Sequence, residues 1–281
     1  MQHCLNKSED AVKFAEDGRE RDLLVSALST KGDVLHHSGN LTESRNIFER
    51  AEEIKGQGRQ PLTFPHSFGH RRRDLLLSQG EYDEVKDTAR RILESSGAKH
   101  YDLIDSALLY LSLGQAYLFQ SPPDYVEAKA NLDQAMDYLL RAGRVVHIPR
   151  GRLALADLHL MTGELSEAKF NLDEALEMAK RNHTVLHQAD CHLKYTRLYL
   201  ELNENEKAYE SWPEAKEIID RCDYRLRDVD SQVLSTRLYL ARGEKEKAHE
   251  SVANAKETRD RMGYHRRDED IKGVERQLRG L

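Results

Sequence analysis

A spacing of about forty residues constrains this chain more than any other feature. A compact residue inside a helical run recurs at Ser44, Val85, Ala128, Ala168, Ala208 and Ala248, in steps of 41, 43, 40, 40 and 40 residues. A turn signal stands ahead of each: Ser38-Gly39-Asn40, Gln79-Gly80-Glu81, Ser121-Pro122-Pro123, Thr162-Gly163-Glu164, Leu202-Asn203-Glu204 and Arg242-Gly243-Glu244. A fixed period of this size, broken once inside each unit, marks stacked helical pairs, because one pair cannot bury its apolar face alone. The 281 residues therefore read as one elongated all-α domain rather than the two globular domains that length alone favours.

Apolar residues fall at helical spacing on both sides of each turn. In the fourth unit Leu153, Leu155, Ala156, Leu158 and Leu160 precede Gly163, and Leu165, Ala168, Leu172, Ala175 and Leu176 follow it. The small residues matter physically, because two helices cross closely only where a side chain is short enough to admit its neighbour's ridge. A larger residue at Ala168, Ala208 or Ala248 should overpack the crossing and cost ~1–3 kcal/mol.

Composition agrees with an extended array. Charged residues make up 33% of the chain and the hydrophobic class 39%, which suits two-sided helices with much exposed surface. The net charge of −6 argues against a nucleic-acid partner, whose footprint is a surplus of Lys and Arg. No stretch approaches eighteen apolar residues, so no membrane partner is expected. Met1 to Asp10 have no apolar signal-peptide core. Three scattered cysteines, Cys4, Cys191 and Cys222, fit a reducing cytoplasm better than a disulfide framework.

At the level of single slots the chain resembles the tetratricopeptide repeat (TPR). That family places a small residue mid-way along the first helix, then a turn, then a small, a bulky and another small residue in the second helix. These slots read Gly32, Ser44, Phe48, Ala51 in the first full unit and Gly114, Ala128, Leu132, Ala135 in the third. Later units read Ala156, Ala168, Leu172, Ala175, then Thr196, Ala208, Trp212, Ala215, then Thr236, Ala248, Val252, Ala255. The second unit, with Arg73, Val85, Ala89 and Ile92, departs most. The resemblance implies a right-handed α-solenoid with helices or links longer than the family's commonest form. The repeats are expected at 21–62, 63–104, 105–146, 147–186, 187–226 and 227–265, with 1–20 before them and 266–281 after.

The two ends read differently. Ala11 lies fourteen residues before Val25, as Ala175 lies fourteen before Ala189, so residues 5 to 20 are expected to be the second helix of a pair whose first is missing. An uncapped start of that kind points to a piece of a longer protein. Arg266 to Arg279 reads as one last helix with Ile271, Val274 and Leu278 on its apolar side, capping the array.

Some local wording is similar to a narrower group. RDLLLSQGEYDEV from Arg73, IPRGRLALADLHLMTGELSEAKFNLDEALEMA from Ile148, LHQADCHLKYTRLYL from Leu186 and GYHRRDED from Gly263 resemble the C-terminal sensor repeats of bacterial STAND (NLR-like) NTPases. The resemblance implies a ligand-sensing arm that reads an invader or host signal and contacts an N-terminal NTPase module in its parent protein, as in defence signalling. No Gly-x-x-x-x-Gly-Lys phosphate loop is present in this chain. Two other readings stand beside it: a free-standing TPR scaffold assembling a complex, and a small-molecule binder with a closed superhelix and a pocket.

In this repeat type the first helix of each pair lines the concave surface, where a protein or peptide ligand is expected. That places Ser29, Asp33 and His36 beside His70, Arg71 and Asp74, then Ser112 and Gln115, Arg150 and Asp157, Asp190, Lys194 and Arg197, and finally Asp230 and Arg237. Asp and Arg on such a face can satisfy one another across units. Alternatively, Arg150, Lys194, Arg197 and Arg237 form a stripe for an acidic or C-terminal peptide, since Arg grips carboxylates bidentately.

Other constellations are weaker. His183, His187 and Cys191 stand at spacings of four, and His36, His37, His66 and His70 group in the first two units, but a metal set is not expected from either. The Arg71-Arg72-Arg73 and Arg266-Arg267 runs have acidic neighbours and read as solvated helix faces. Nucleophile-elbow, zinc-protease and dinucleotide motifs are lacking, so neither catalysis nor a cofactor is expected.

Overall fold

A computed structural model describes residues 1–56, 69–95 and 102–280. The helices pair as α2 (Arg21–His37) with α3 (Leu41–Gly56), α4 (Gly69–Gln79) with α5 (Tyr82–Ser95), and α6 (Leu103–Phe119) with α7 (Tyr125–Ala142). The series continues with α8 (Ile148–Thr162) and α9 (Leu165–Arg181), α10 (Val185–Glu201) and α11 (Asn205–Cys222), then α12 (Asp228–Ala241) and α13 (Lys245–Met262). A single helix lies at each end, α1 (Gln2–Asp17) and α14 (Asp268–Arg279). The described residues contain no strand, and the whole is an α-solenoid of TPR-like pairs.

The turn chemistry explains where helices stop. Gly163 adopts φ +79° after α8, and Gly143 and Gly263 take the same left-handed conformation after α7 and α13. Asp124 caps α7 by accepting from the Glu127 amide at 3.0 Å, and Pro149 stands in the first turn of α8.

Inside each pair the small slots do what crossing demands. A Cβ on Gly114 would stand 2.6 Å from Leu132 Cγ, so α6 and α7 meet there at backbone distance. Ala156, Thr196 and Thr236 occupy the equivalent place in later units and are fully buried. In the first pair Ser44 Oγ donates to the Gly32 carbonyl at 2.7 Å, which satisfies its hydroxyl inside the crossing. The second unit breaks the rule, because its slot holds Arg73, 2% exposed, whose Nε donates to Ser112 Oγ at 3.1 Å. Arg73 is thus core, not part of a solvated basic run.

Two expectations about the ends shift. In α1 the buried residues are Ser8, Val12 and Ala15, matching Ser44, Phe48 and Ala51, while Ala11 is exposed. The register expected from Ala11 is therefore four residues off, since α1 stops about one turn sooner past its last small slot than α9 does. At the other end the chain before α14 forms a separate 3₁₀ turn, His265–Arg267. A matching turn, Arg225–Arg227, precedes α12. These two turns aim Arg227, Arg266 and Arg267 inward.

The superhelix closes on itself. Leu41 and Leu75 from the first two pairs share one buried apolar cluster with Tyr224, Leu226, Met262 and Tyr264 from the last two. The His37 ring meets Tyr224 at 5.5 Å between centroids, and the Gly80 turn lies against His265. At Gly39, φ +81°, an added Cβ would stand 2.9 Å from Met262 Cε and 3.2 Å from Arg225 Cβ. The concave face is consequently a walled channel.

Candidate functional site

Two cavities occupy this channel, both lined mainly by the first helices of the pairs. The first, about 380 Å³, is bounded by His36 and His37 of α2, Asp74 of α4, Gln115 of α6, Arg150 of α8 and His187 of α10. The second, about 340 Å³, lies between α10, α12 and α14. Asp157, Lys194, Asp190, Arg227 and Arg266 line both and form a charged partition.

Ion pairs take up nearly every charge. Asp190 accepts from Arg227 Nε at 2.6 Å, and Asp230 accepts from Arg267 Nε at 2.6 Å. Tyr264 Oη donates to Asp230 at 2.9 Å, with Tyr224 Oη 3.5 Å from Asp190 in the corresponding place. Each Asp–Arg pair spans 37 residues, and the second lies forty residues after the first, so one clamp is repeated. Burial alone would raise the Asp230 carboxyl, but Arg267 and Arg227 outweigh it and hold the group far below the usual carboxylate range. Burial pushes the Tyr264 phenol up to about 12.

The same two positions one unit earlier are Arg150 and His187, with the charge of the first reversed. Arg150 finds its partner far along the chain in Asp74, on the first helix two units earlier. Burial would raise Asp74, yet Arg150 holds it down at about 2. His187, facing burial and the nearby Arg150 and His37, is pushed down to about 4 despite Asp190, and its Nδ1 has no hydrogen-bond partner. His36 and His70 are also held well below the usual imidazole range, chiefly by burial.

The remaining sequence-predicted positions fall partly in the cavities and partly outside them. Asp157 pairs with Lys194, and Arg266 lies 3.7 Å from its other oxygen. Arg237 pairs with Glu201 at 2.9 Å. Arg71 pairs with Asp33 at 3.4 Å and lines neither cavity. Ser29 and Ser112 are buried, and Ser112 is spent on Arg73. The four-cation stripe is thus reduced to one free member: Arg150, Lys194 and Arg237 have carboxylate partners, and Arg197 has none among the described residues.

Sequence reasoning missed Arg227, Arg266, Arg267 and both tyrosines. Arg266 and Arg267 were expected on a solvated face, but the 3₁₀ turn buries them to 10% and 13% side-chain exposure. The forty-residue recurrence of Tyr224 and Arg227 as Tyr264 and Arg267 was the available signal.

Asp33, His36 and His37 bring three potential metal-ligand atoms within 4.8 Å of one another. His36 Nε2 is engaged by Ser78, His37 Nδ1 by the Asp33 carbonyl, and Asp33 by Arg71. The Arg150 and Arg227 charges that act on His36 oppose a metal cation at this place. His183 lies in the turn before α10 at φ +54°, off the helix that carries His187 and Cys191. His66 lies outside the described residues.

Stacked pairs of this kind with a walled inner channel define a TPR-type repeat protein. The family model of the MalT-like TPR region matches residues 5–253, and the chain belongs to that family. No curated protein matches it. Among solved structures the chain is similar to the apo form of RapI, with a TM-score of 0.51, 16% identity, and coverage of 92% of this chain and 76% of that one. No described helix is long and apolar enough to cross a membrane.

Proposed function

We propose that this array is the ligand-sensing arm of a larger STAND-type signalling protein and that its ligand sits on the inner face of the superhelix. The observation that carries the reading is the meeting of the array's two ends, through His37 with Tyr224 and the Gly39 turn against Met262. A ligand entering there touches early and late repeats together, so its binding free energy acts on the closure of the ring as a whole. Closure of that kind gives a sensor two arrangements to choose between.

Two likenesses support the larger context. The segments beginning at Arg73, Ile148, Leu186 and Gly263 resemble STAND sensor repeats, and MalT, after which the family is named, is a STAND NTPase. Cavities of about 340 and 380 Å³ match a short peptide segment or a smaller molecule, not a folded domain. The hydroxyl–imidazole contact on the channel wall, Ser78 with His36 at 2.9 Å, is buried, and Ser78 Oγ donates to the Asp74 carbonyl, so the function proposed is recognition.

The test has two parts. A parent gene that encodes a Gly-x-x-x-x-Gly-Lys loop ahead of this array supports the sensor reading, and one that encodes the array alone turns it into a free-standing scaffold. Capture from infected and uninfected bacterial lysates then asks whether retention depends on infection, as the defence role requires.

A further inference from the structure

The cavity between α10, α12 and α14 contains a cation without an ion-pair partner among the described residues, although six carboxylates and six cations line it. Every carboxylate lining it has a cationic partner: Asp157 with Lys194, Asp190 with Arg227, Glu201 with Arg237, Asp230 and Asp270 with Arg267, and Glu269 with Lys272. Arg197 is the lining cation left over. Its Nε is buried, it makes no hydrogen bond, and no carboxylate stands within ion-pair distance among the described residues. Arg266 lines the same cavity with a second buried, unbonded Nε; its guanidinium is stacked 4.0 Å from Phe119 and shares Asp157 with Lys194.

Buried N–H donors of a permanent cation are costly to leave unmet, so a cavity that holds two of them has donors to offer an anionic group. The remaining wall has another character. Leu193, Val233, Leu234 and Val274 are apolar and buried, and Gly273 keeps that side open. A ligand that fits must offer negative charge at one end and an aliphatic body at the other.

We propose that this cavity binds a small organic anion with an aliphatic body, its carboxylate or phosphate head held by Arg197 and Arg266 and its body laid against Leu193, Val233, Leu234 and Val274. The inference rests on the inner face being the ligand face. It differs from the four-cation stripe, because the ion pairs withdraw Arg150, Lys194 and Arg237 from binding. Planar guanidinium donors suit the two oxygens of a carboxylate.

The experiment is calorimetric titration of the full chain with 4-methylpentanoate, its neutral analogue 4-methylpentanamide, and inorganic phosphate. The free acid is expected to bind with a Kd on the order of 1 mM, as a fragment of that size attains. The amide lacks the charge and phosphate lacks the body, and each should bind at least about tenfold more weakly. Arg197→Gln should lose about tenfold for the acid and leave the amide unchanged, whereas Arg141→Gln, on an exposed outer pair, should match wild type. Because Arg197 has no partner to lose, the variant should fold, which its melting curve checks.

Ala-Ala-Leu and its C-terminal amide tell a peptide end from a free acid, since only the free carboxyl of the peptide should compete if the source is a peptide. Equal binding of acid and amide overturns the proposal, and so do undiminished binding by Arg197→Gln and failure of the acid to bind. A captured partner retained equally by wild type and Arg197→Gln leaves the sensing role standing and removes this site from it.

Discussion

The Asp190–Arg227 and Asp230–Arg267 pairs and the Asp74–Arg150 pair use the same chemistry in one channel, but they join different distances along the chain. The first two each span 37 residues and link a first helix to the turn that opens the next unit. The third spans 76 residues and skips a unit, joining the second pair to the fourth. Pairs between neighbouring units are repeated with the period, whereas the pair that skips a unit occurs where the period is broken by a reversed charge at Arg150. A neighbour-to-neighbour clamp stiffens the array, and a pair that skips a unit bears on how far it curls.

Removing Asp230 attacks the clamp at its most committed point. Asp230→Ala takes the buried acceptor from Arg267 and the Tyr264 hydroxyl and a second carboxylate from Arg227, and the expected loss is about 3–5 kcal/mol in urea denaturation. A loss below about 1 kcal/mol would mean water replaces the carboxylate and the clamp contributes little.

Acid should act first beside Arg150. His187 titrates near 6.5 when unfolded and near 4 when folded, so between those values the unfolded chain binds the extra proton. Its contribution is complete above pH 6.5 and lost as pH falls toward 4. His36 and His70, also lowered by burial, act in the same direction. Between pH 6.5 and pH 5, His187→Gln should lose about 1.5 kcal/mol less stability than wild type. Identical pH profiles would sink the assignment of that imidazole as buried and neutral.

Gly39→Val tests closure without touching a charge. The left-handed backbone and the contact with Met262 predict a cost of about 1–3 kcal/mol. Small-angle scattering should show a larger radius of gyration with helical circular dichroism unchanged, and an unchanged radius would show that closure does not depend on this contact. The smallest effect is expected at Arg197, where Gln should alter stability by no more than about 0.5 kcal/mol in either direction. A large destabilisation there would reveal a partner that the ion-pair pattern lacks.

Much of the local fold was legible from residue spacing. Ala128, Ala168, Ala208 and Ala248 mark their second helices, and all are fully buried. The slots failed where a charged residue filled one, at Arg73, and at α1, where a shorter helix end moved the register from Ala11 to Ala15. The candidate site was half legible. The first helices do carry the cavity walls, and Asp190, Lys194, Arg197 and Asp230 line the second cavity. Which of those charges would be spent on one another did not follow from spacing, because Arg227, Arg266 and Arg267 approach from turns that read as surface helix.

What the sequence by itself determined is the repeated part: the period, the helix pairs, the small residues at each crossing and the recurrence of Tyr and Arg at 224, 227, 264 and 267. These depend on contacts within a unit or with the next one, and such contacts recur with the register. What only the tertiary structure decided is the closure of the ring and, with it, the partners of Asp74, Arg150, Asp157 and Arg266. Curl accumulates from small rotations at every crossing, so contacts between units several periods apart follow from the sum of all crossings and are written at none of them.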